Sequence, residues 1–177
     1  MIDFSRNHFE LFGLPERFQF DAALLDRAYH RLQGEVHPDR YAAAGATEQR
    51  LALQSSARVN EAYQALKDPV ARAQYLLLLH GVDALAETDT ALAFDFLERQ
   101  LERREAAAEA AEAGDTRALE ANLDEVRAEA RELEQRVSSL LDVDGAWDAA
   151  RGTVRELRFL TKVAADIDAM LATLENA

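Results

Sequence analysis

A stripe of seven apolar residues between positions 119 and 140 constrains the fold more than any other feature of this sequence. Its members follow one another at alternating steps of four and three residues, which is the spacing of a coiled-coil seam over about three heptads. Because short turns join the neighbouring helical segments to this one, the seam favours an intramolecular three-helix bundle over a dimerising coil. The stripe consists of Leu119, Leu123, Val126, Ala130, Leu133, Val137 and Leu140.

Helix-breaking residues divide the rest of the chain. With only 7 Gly and 3 Pro in 177 residues, the composition is typical of a compact all-α protein. The polar stretch 82–90 predicts a linker, and Gly114-Asp115 and residues 142–145 predict the turns of the bundle. We therefore expect an N-terminal domain over residues 1–81 and a C-terminal three-helix bundle over 91–177, with helices at about 91–113, 116–141 and 146–175.

The N-terminal domain is expected to be a helical hairpin with short flanking helices. Asp21 can cap a helix that must end at Val36 or His37, because Pro38 lacks an amide hydrogen and forces its predecessor out of the α region. After a loop of small residues, a second long helix runs until Asp68 and Pro69 end it. The predicted stripes are Leu24, Leu25, Ala28, Tyr29, Leu32 and Val36 on the first long helix, and Leu51, Ser55, Val59, Ala62, Tyr63 and Leu66 on the second; the short helices are predicted at 8–14 and 70–80.

Charge and cysteine content argue against several classes of function. The net charge is −13, and from Gly81 onward 23 acidic residues face 11 basic ones, so we expect no nucleic-acid partner. Without cysteine the chain has no disulfide, thiolate metal site or cysteine nucleophile. The longest aliphatic run, 76–79, is far shorter than a membrane span and no signal-peptide pattern occurs. We expect a cytoplasmic protein without a membrane partner.

The triplet His37, Pro38 and Asp39 lies where the first long helix must end. One interpretation is that it only ends the helix. A second is recognition, because Pro38 stiffens the segment and holds an imidazole and a carboxylate ready for a partner, whose arginine could bind Asp39. A metal site or a catalytic site is less favoured. His30 is the nearest further ligand and no third one follows, and no nucleophile or oxyanion donor lies nearby in the sequence.

Several sequence segments resemble those of a known family. The segments HFELFGLP, HPDR and VNEAYQALKDPVARAQYLL are similar to a J domain, the co-chaperone module that uses His-Pro-Asp to stimulate ATP hydrolysis by a DnaK-type chaperone. The later segments AFDFLERQLERREAA and WDAARGTVRELRFLTKV resemble the C-terminal bundle of the HscB family, J-type co-chaperones dedicated to iron–sulfur cluster assembly. The resemblance extends from residue 7 to residue 175.

The resemblance implies a chaperone-binding surface on the N-terminal domain. The partner would be a DnaK/HscA-type heat-shock chaperone, and the triplet would trigger its ATPase. The residues implied are His37, Pro38, Asp39, Arg40 and, on the preceding helix, Arg27 and Arg31. Gly34, Glu35 and Val36 depart from the basic or aromatic residues that are commoner in the family at these positions, and a glycine inside a helix costs about 1 kcal/mol.

The resemblance also implies that the bundle binds an IscU-type iron–sulfur scaffold protein. The residues implied are Leu97, Leu101, Glu102, Glu105 and Phe159. At 100° per residue, Phe94, Leu97 and Leu101 form one apolar stripe, and a second stripe with Phe96 lies roughly opposite. Either both stripes are buried or one is exposed for a partner. Phe159 lies at the edge of the core stripe of the last helix, where we expect it to be exposed.

Two other functions fit most of these features. The chain could be a J protein that serves another client, or a helical adaptor in which the triplet only ends a helix. In the preferred interpretation it is a monomeric co-chaperone that delivers the scaffold to the chaperone, is not itself an enzyme and holds no cofactor.

Overall fold

The computed structural model describes residues 2–84 and 92–175 and divides the chain into two units, Met1–Leu79 and His80–Ala177. Within the described residues all regular structure is helical, which confirms the predicted all-α class. The predicted linker 82–90 falls largely on residues 85–91, which lie outside the described residues. No helix in the described ranges is long and apolar enough to span a membrane.

The first unit is a long helical hairpin flanked by two short helices. Asn7 and Glu10 form a capping box at the first helix, and Asp21 accepts a hydrogen bond from the amide of Ala23 at the second, which satisfies otherwise free amide groups. Asp68 likewise accepts from the amide of Ala71, 2.7 Å away, at the last helix. The elements are α1 (His8–Phe12), α2 (Ala22–Val36), a 3₁₀ turn (Pro38–Tyr41), α3 (Ala46–Lys67) and α4 (Pro69–Leu79).

Two tyrosines join α2 to α3. The rings of Tyr29 and Tyr63 stack with centroids 4.0 Å apart. Their hydroxyl groups donate across the hairpin to Asn60 at 3.0 Å and to Asp26 at 2.9 Å. This pairing holds the two helices in register.

One predicted core position of α2 is wrong. Leu24 is exposed, whereas Leu25, Ala28 and Val36 are buried. Leu24 lies in the first turn of the helix and about 100° round it from Leu25, so its side chain stays at the edge of the buried face.

The second unit contains a three-helix bundle, as the apolar seam predicted. Helix α6 packs along α7, and α5 packs against both. The helices are α5 (Phe94–Glu112), α6 (Thr116–Ser138) and α7 (Trp147–Glu175), with a π-helical turn (Ser139–Val143) after α6. The buried residues of α6 and α7 are Leu119, Leu123, Val126, Leu133, Val137, Ala150, Thr153, Val154, Leu157, Leu160, Val163 and Ile167.

The end of the predicted seam is wrong by one residue. Helix α6 gives way to the π turn at Ser139, where the amide of Asp144 donates to the carbonyl of Ser139 at 3.1 Å. A π turn holds more residues than an α turn, so the helical spacing no longer applies. Leu141 is therefore buried, and Leu140 is only partly covered.

Residues 80–84 are bound to the bundle. The imidazole of His80 stacks on the indole of Trp147 with centroids 3.6 Å apart. Arg155 of α7 donates through Nε to the carbonyl of Ala84 at 2.7 Å. The start of the segment predicted as a linker is thus part of the second unit.

Candidate functional site

The His37-Pro38-Asp39 triplet follows directly from the end of α2, as predicted. Helix α2 ends at Val36, and His37 is its C-cap. After it the chain enters a 3₁₀ turn with Pro38 in its first position, where the missing amide hydrogen costs nothing. The proline that ends one helix therefore starts the next turn.

Within the turn, the backbone of Asp39 holds the imidazole of His37 in place. The imidazole Nδ1 of His37 accepts a hydrogen bond from the amide of Asp39 at 3.3 Å, and it lies 3.6 Å from the carboxylate Oδ2. The carboxylate is nevertheless 89% exposed and the imidazole 50%. The turn thus fixes the imidazole and leaves the carboxylate of Asp39 exposed outside the core.

Arg40 and Tyr41 bind the end of α2 behind the triplet. Arg40 donates through Nη1 to the carbonyl of Gly34 at 2.9 Å, and the hydroxyl of Tyr41 donates to the carbonyl of Glu35 at 3.3 Å. The last carbonyl groups of a helix have no partner within the helix, and these two side chains supply one. Arg40, predicted to contact the chaperone, thus has a structural role in this unit. Sequence reasoning missed this role, although the donors that follow a proline-ended helix could have indicated it.

The cationic residues predicted on α2 are accessible. Arg27 and Arg31 are both exposed, and their separation of four residues places them on one face of the helix. The structure therefore places these two arginines and the triplet on the first unit, with the triplet at the C-terminal end of α2.

On the second unit, α5 has one buried and one exposed apolar stripe, which decides between the two alternatives. Phe96, Gln100, Ala107 and Ala110 are buried. On the other side Phe94 is 75% exposed, Leu97 41% and Leu101 59%. Glu102 and Glu105, the predicted acidic residues, are exposed beside the second stripe. We call Phe94, Leu97, Leu101, Glu102, Glu105 and Phe159 of α7 the bundle patch.

Phe159 is half-buried, so the expectation of an exposed ring is wrong. Its ring makes an edge contact with the buried Phe96, with centroids 5.7 Å apart and planes at 78°. The guanidinium of Arg104 lies 5.2 Å from its centroid. Packing of α7 against α5 therefore brings this predicted residue into contact with Phe96 and Arg104. Sequence reasoning missed Arg104, since only the packing of α5 against α7 brings it to Phe159.

Among the residues that the structure describes, no group of three or more His, Asp or Glu side chains is placed to hold a metal ion. In the first unit, burial lowers the pKa of the imidazole of His8, and the positive charge of Arg58 lowers it further. The exposed triplet and the bundle patch have the features of protein-binding surfaces.

Comparison with protein families yields one match for each unit. Residues 7–75 match the DnaJ domain, and residues 93–168 match a family described as the HSCB C-terminal oligomerisation domain. Between them the two matches cover the triplet and most of the bundle, including every residue of the bundle patch.

Relatives and solved structures agree with these matches. A co-chaperone protein HscB homolog from Paraburkholderia xenovorans is 47% identical over 176 residues, which are 99% of this chain and 100% of the relative. The structure of the chaperone HscB from Vibrio cholerae is similar with a TM-score of 0.86 at 35% identity, over 96% of this chain and 99% of that one. The human co-chaperone protein HscB gives a TM-score of 0.86 at 31% identity, over 95% and 83%.

Proposed function

Because the chain belongs to the HscB family of co-chaperones, we propose that it couples two partners in iron–sulfur cluster assembly. Its J domain, residues 1–81, would stimulate the ATPase of an HscA-type chaperone. Its bundle, residues 91–177, would bind an IscU-type scaffold and deliver it to that chaperone. The observation that carries the proposal is that each unit has an exposed surface suited to a partner: the triplet on the first unit and the bundle patch on the second.

A J domain implies a partner of the DnaK type. The finer proposal is that His37, Pro38 and Asp39 make the decisive contact, with Arg27 and Arg31 beside them on α2. The exposed Asp39 carboxylate can accept two hydrogen bonds from a partner arginine. Arg40 contributes mainly through its bond to the carbonyl of Gly34, which holds the turn against α2.

The bundle patch supports binding of a scaffold protein. Phe94, Leu97 and Leu101 expose apolar surface next to each other on α5, and two carboxylates flank them. Apolar anchors with a charged rim are typical of binding hot spots. The net charge of −13 further favours a partner surface with basic residues.

Linking both surfaces in one chain explains the proposed coupling. A chain bound to the scaffold raises the effective concentration of its triplet next to the chaperone that receives that scaffold. ATP hydrolysis then occurs where the cargo is present. The hydrolysis takes place on the chaperone, so the proposal assigns this chain no catalytic residue and no cofactor.

Steady-state ATP hydrolysis by the cognate chaperone, with and without scaffold, tests the proposal. We expect Asp39→Asn to abolish most of the stimulation because the neutral side chain cannot pair with a cation, while its affinity for the scaffold stays unchanged. Leu101→Ala should do the reverse and weaken scaffold binding about tenfold, since it removes an anchor from the patch.

Matched variants serve as controls for both changes. Asp3→Asn removes an exposed carboxylate from the same unit as Asp39, and Leu53→Ala truncates a leucine that is 59% exposed, the same fraction as Leu101. Both should behave like the wild type. Normal stimulation by Asp39→Asn would refute the role of the triplet, and a chain that stimulates the chaperone without binding the scaffold would be a J protein for another client.

A further inference from the structure

Phe159 is the ring that α7 contributes to the bundle patch, and neighbouring side chains hold it on two sides. The buried Phe96 contacts it edge on, and the guanidinium of Arg104 lies over it, 5.2 Å from the centroid. An aromatic edge contact and a cation over the ring face each favour a particular ring orientation. The orientation of Phe159 therefore depends on where Arg104 is held.

Asp166 holds Arg104 in that place. Its Oδ2 lies 3.5 Å from Nη2 of Arg104, and the two side chains are 49% and 45% exposed. Asp166 follows Phe159 by seven residues, or about two turns, and so lies on the same face of α7. A groove of about 370 Å³ adjoins the pair and is lined by Ala107, Val163 and Met170 among others. Without Asp166, the long arginine side chain would have room to turn away from the ring, and its conformational freedom would favour this.

We propose that Asp166 is a positioning residue of the scaffold-binding surface, acting through Arg104 on Phe159. This inference rests on the proposed function, and it adds a residue that lies outside the bundle patch. With the ring already oriented in the free protein, less ordering is required when the scaffold binds. Loss of Asp166 should therefore weaken scaffold binding although Asp166 itself need not touch the scaffold.

The chain contains a close match for a control. Arg127 of α6 and Asp168 of α7 also form an ion pair, with Nη2 2.9 Å from Oδ2 and side chains that are 48% and 49% exposed. Asp168 lies on the same helix as Asp166 but pairs with α6 instead of α5. Asp168→Asn changes the net charge of the protein by the same amount and leaves Arg104 and Phe159 untouched.

Titration calorimetry of the full chain with an IscU-type scaffold provides the test. We expect Asp166→Asn to weaken binding roughly two- to fivefold, the range for an exposed ion pair, and Asp168→Asn to bind like the wild type. In a Phe159→Leu background, Asp166→Asn should have no further effect. Equal affinities of Asp166→Asn and Asp168→Asn, or the same loss in the Phe159→Leu background, would overturn the inference.

A second measurement needs no scaffold. In NMR spectra of the free protein, the ring current of Phe159 should shift the Nε–Hε signal of Arg104. Asp166→Asn should move that signal towards the value in Phe159→Leu, and Asp168→Asn should leave it in place; an unchanged signal in Asp166→Asn would overturn the inference. If the wild type binds no scaffold, both the proposed function and this inference fail. If the wild type binds the scaffold and Asp166→Asn binds it equally well, only the inference about Asp166 is refuted.

Discussion

The exposure of the triplet depends on hydrogen bonds made by the residues around it. His37 accepts from the amide of Asp39, and Arg40 and Tyr41 occupy the carbonyl groups of Gly34 and Glu35. The carboxylate of Asp39 takes part in none of these three hydrogen bonds and stays exposed. A short segment thus both completes the helix end and presents a charged group to a partner.

The residues of the proposed sites differ in how well the sequence predicts them. The position of Asp39 just after a helix end and the shared face of Leu97 and Leu101 follow from chain-local rules, namely the conformation that proline imposes and the helical spacing of apolar residues. The half-buried state of Phe159 does not, because it depends on a contact between α5 and α7. The sequence reports which face a residue is on, but not which side chain of another helix covers it.

At the residue scale, His8 should make the first unit sensitive to acid. It is buried, its ring stacks on that of Tyr75 at 4.0 Å, and burial together with Arg58 lowers its pKa below the ordinary value of about 6.5. The unfolded chain therefore binds more protons between the two pKa values. Stability should fall as the pH drops through about 6.5 towards the lowered pKa in the folded state.

His8→Phe should reduce this loss, since phenylalanine can stack on Tyr75 without titrating. Urea unfolding followed by NMR signals of the first unit, at pH 7.5 and at pH 5, measures it. The difference in free energy of unfolding between the two pH values should be smaller in His8→Phe than in the wild type. An equal difference in both proteins would contradict the role of burial in lowering the pKa of His8.

At the scale of elements, the sequence predicts the helices but not the π turn that follows α6. Capping residues and prolines placed the start and end of α2 and α3 close to where the structure has them, because each signal acts on the nearest few amide and carbonyl groups. The π turn at Ser139–Val143 carries no such signal. It lies between α6 and α7, and the last buried residue of the seam is there Leu141 instead of the predicted Leu140.

Replacing either of two glycines in the first unit with alanine should change its free energy of unfolding, in opposite directions. Gly34 lies inside α2 with open space where a Cβ would be, whereas Gly13, the C-cap of α1, has a φ of 68°. Gly34→Ala should raise the free energy of unfolding of the first unit by about 1 kcal/mol, and Gly13→Ala should lower it by about 1 kcal/mol. Hydrogen exchange of amide groups in α2 and α3 measures the stability of the first unit separately from that of the second. Faster exchange in Gly34→Ala would contradict the account of α2 as a regular helix at that residue.

At the scale of the whole molecule, the apolar seam of α6 predicted the bundle together with the short turns on either side of it, because those turns bring neighbouring helices of the same chain to the seam. The proposed function requires both units in the same chain. Each unit has its own exposed surface, and the proposal requires that one chain use both. Nothing in this requirement fixes the arrangement of the two units, since a tether raises the effective concentration whenever it can span the two partners.

The most direct test of this central claim is complementation between two defective chains. Asp39→Asn retains the bundle patch, and the double variant Leu97→Ala/Phe159→Ala retains the triplet. Steady-state ATP hydrolysis by the chaperone is measured with scaffold present, below saturation, with the wild type or with an equimolar mixture of the two variants. We predict that the wild type stimulates hydrolysis strongly and that the mixture does not, because no chain in it carries both surfaces. Stimulation by the mixture equal to that of the wild type would contradict the account.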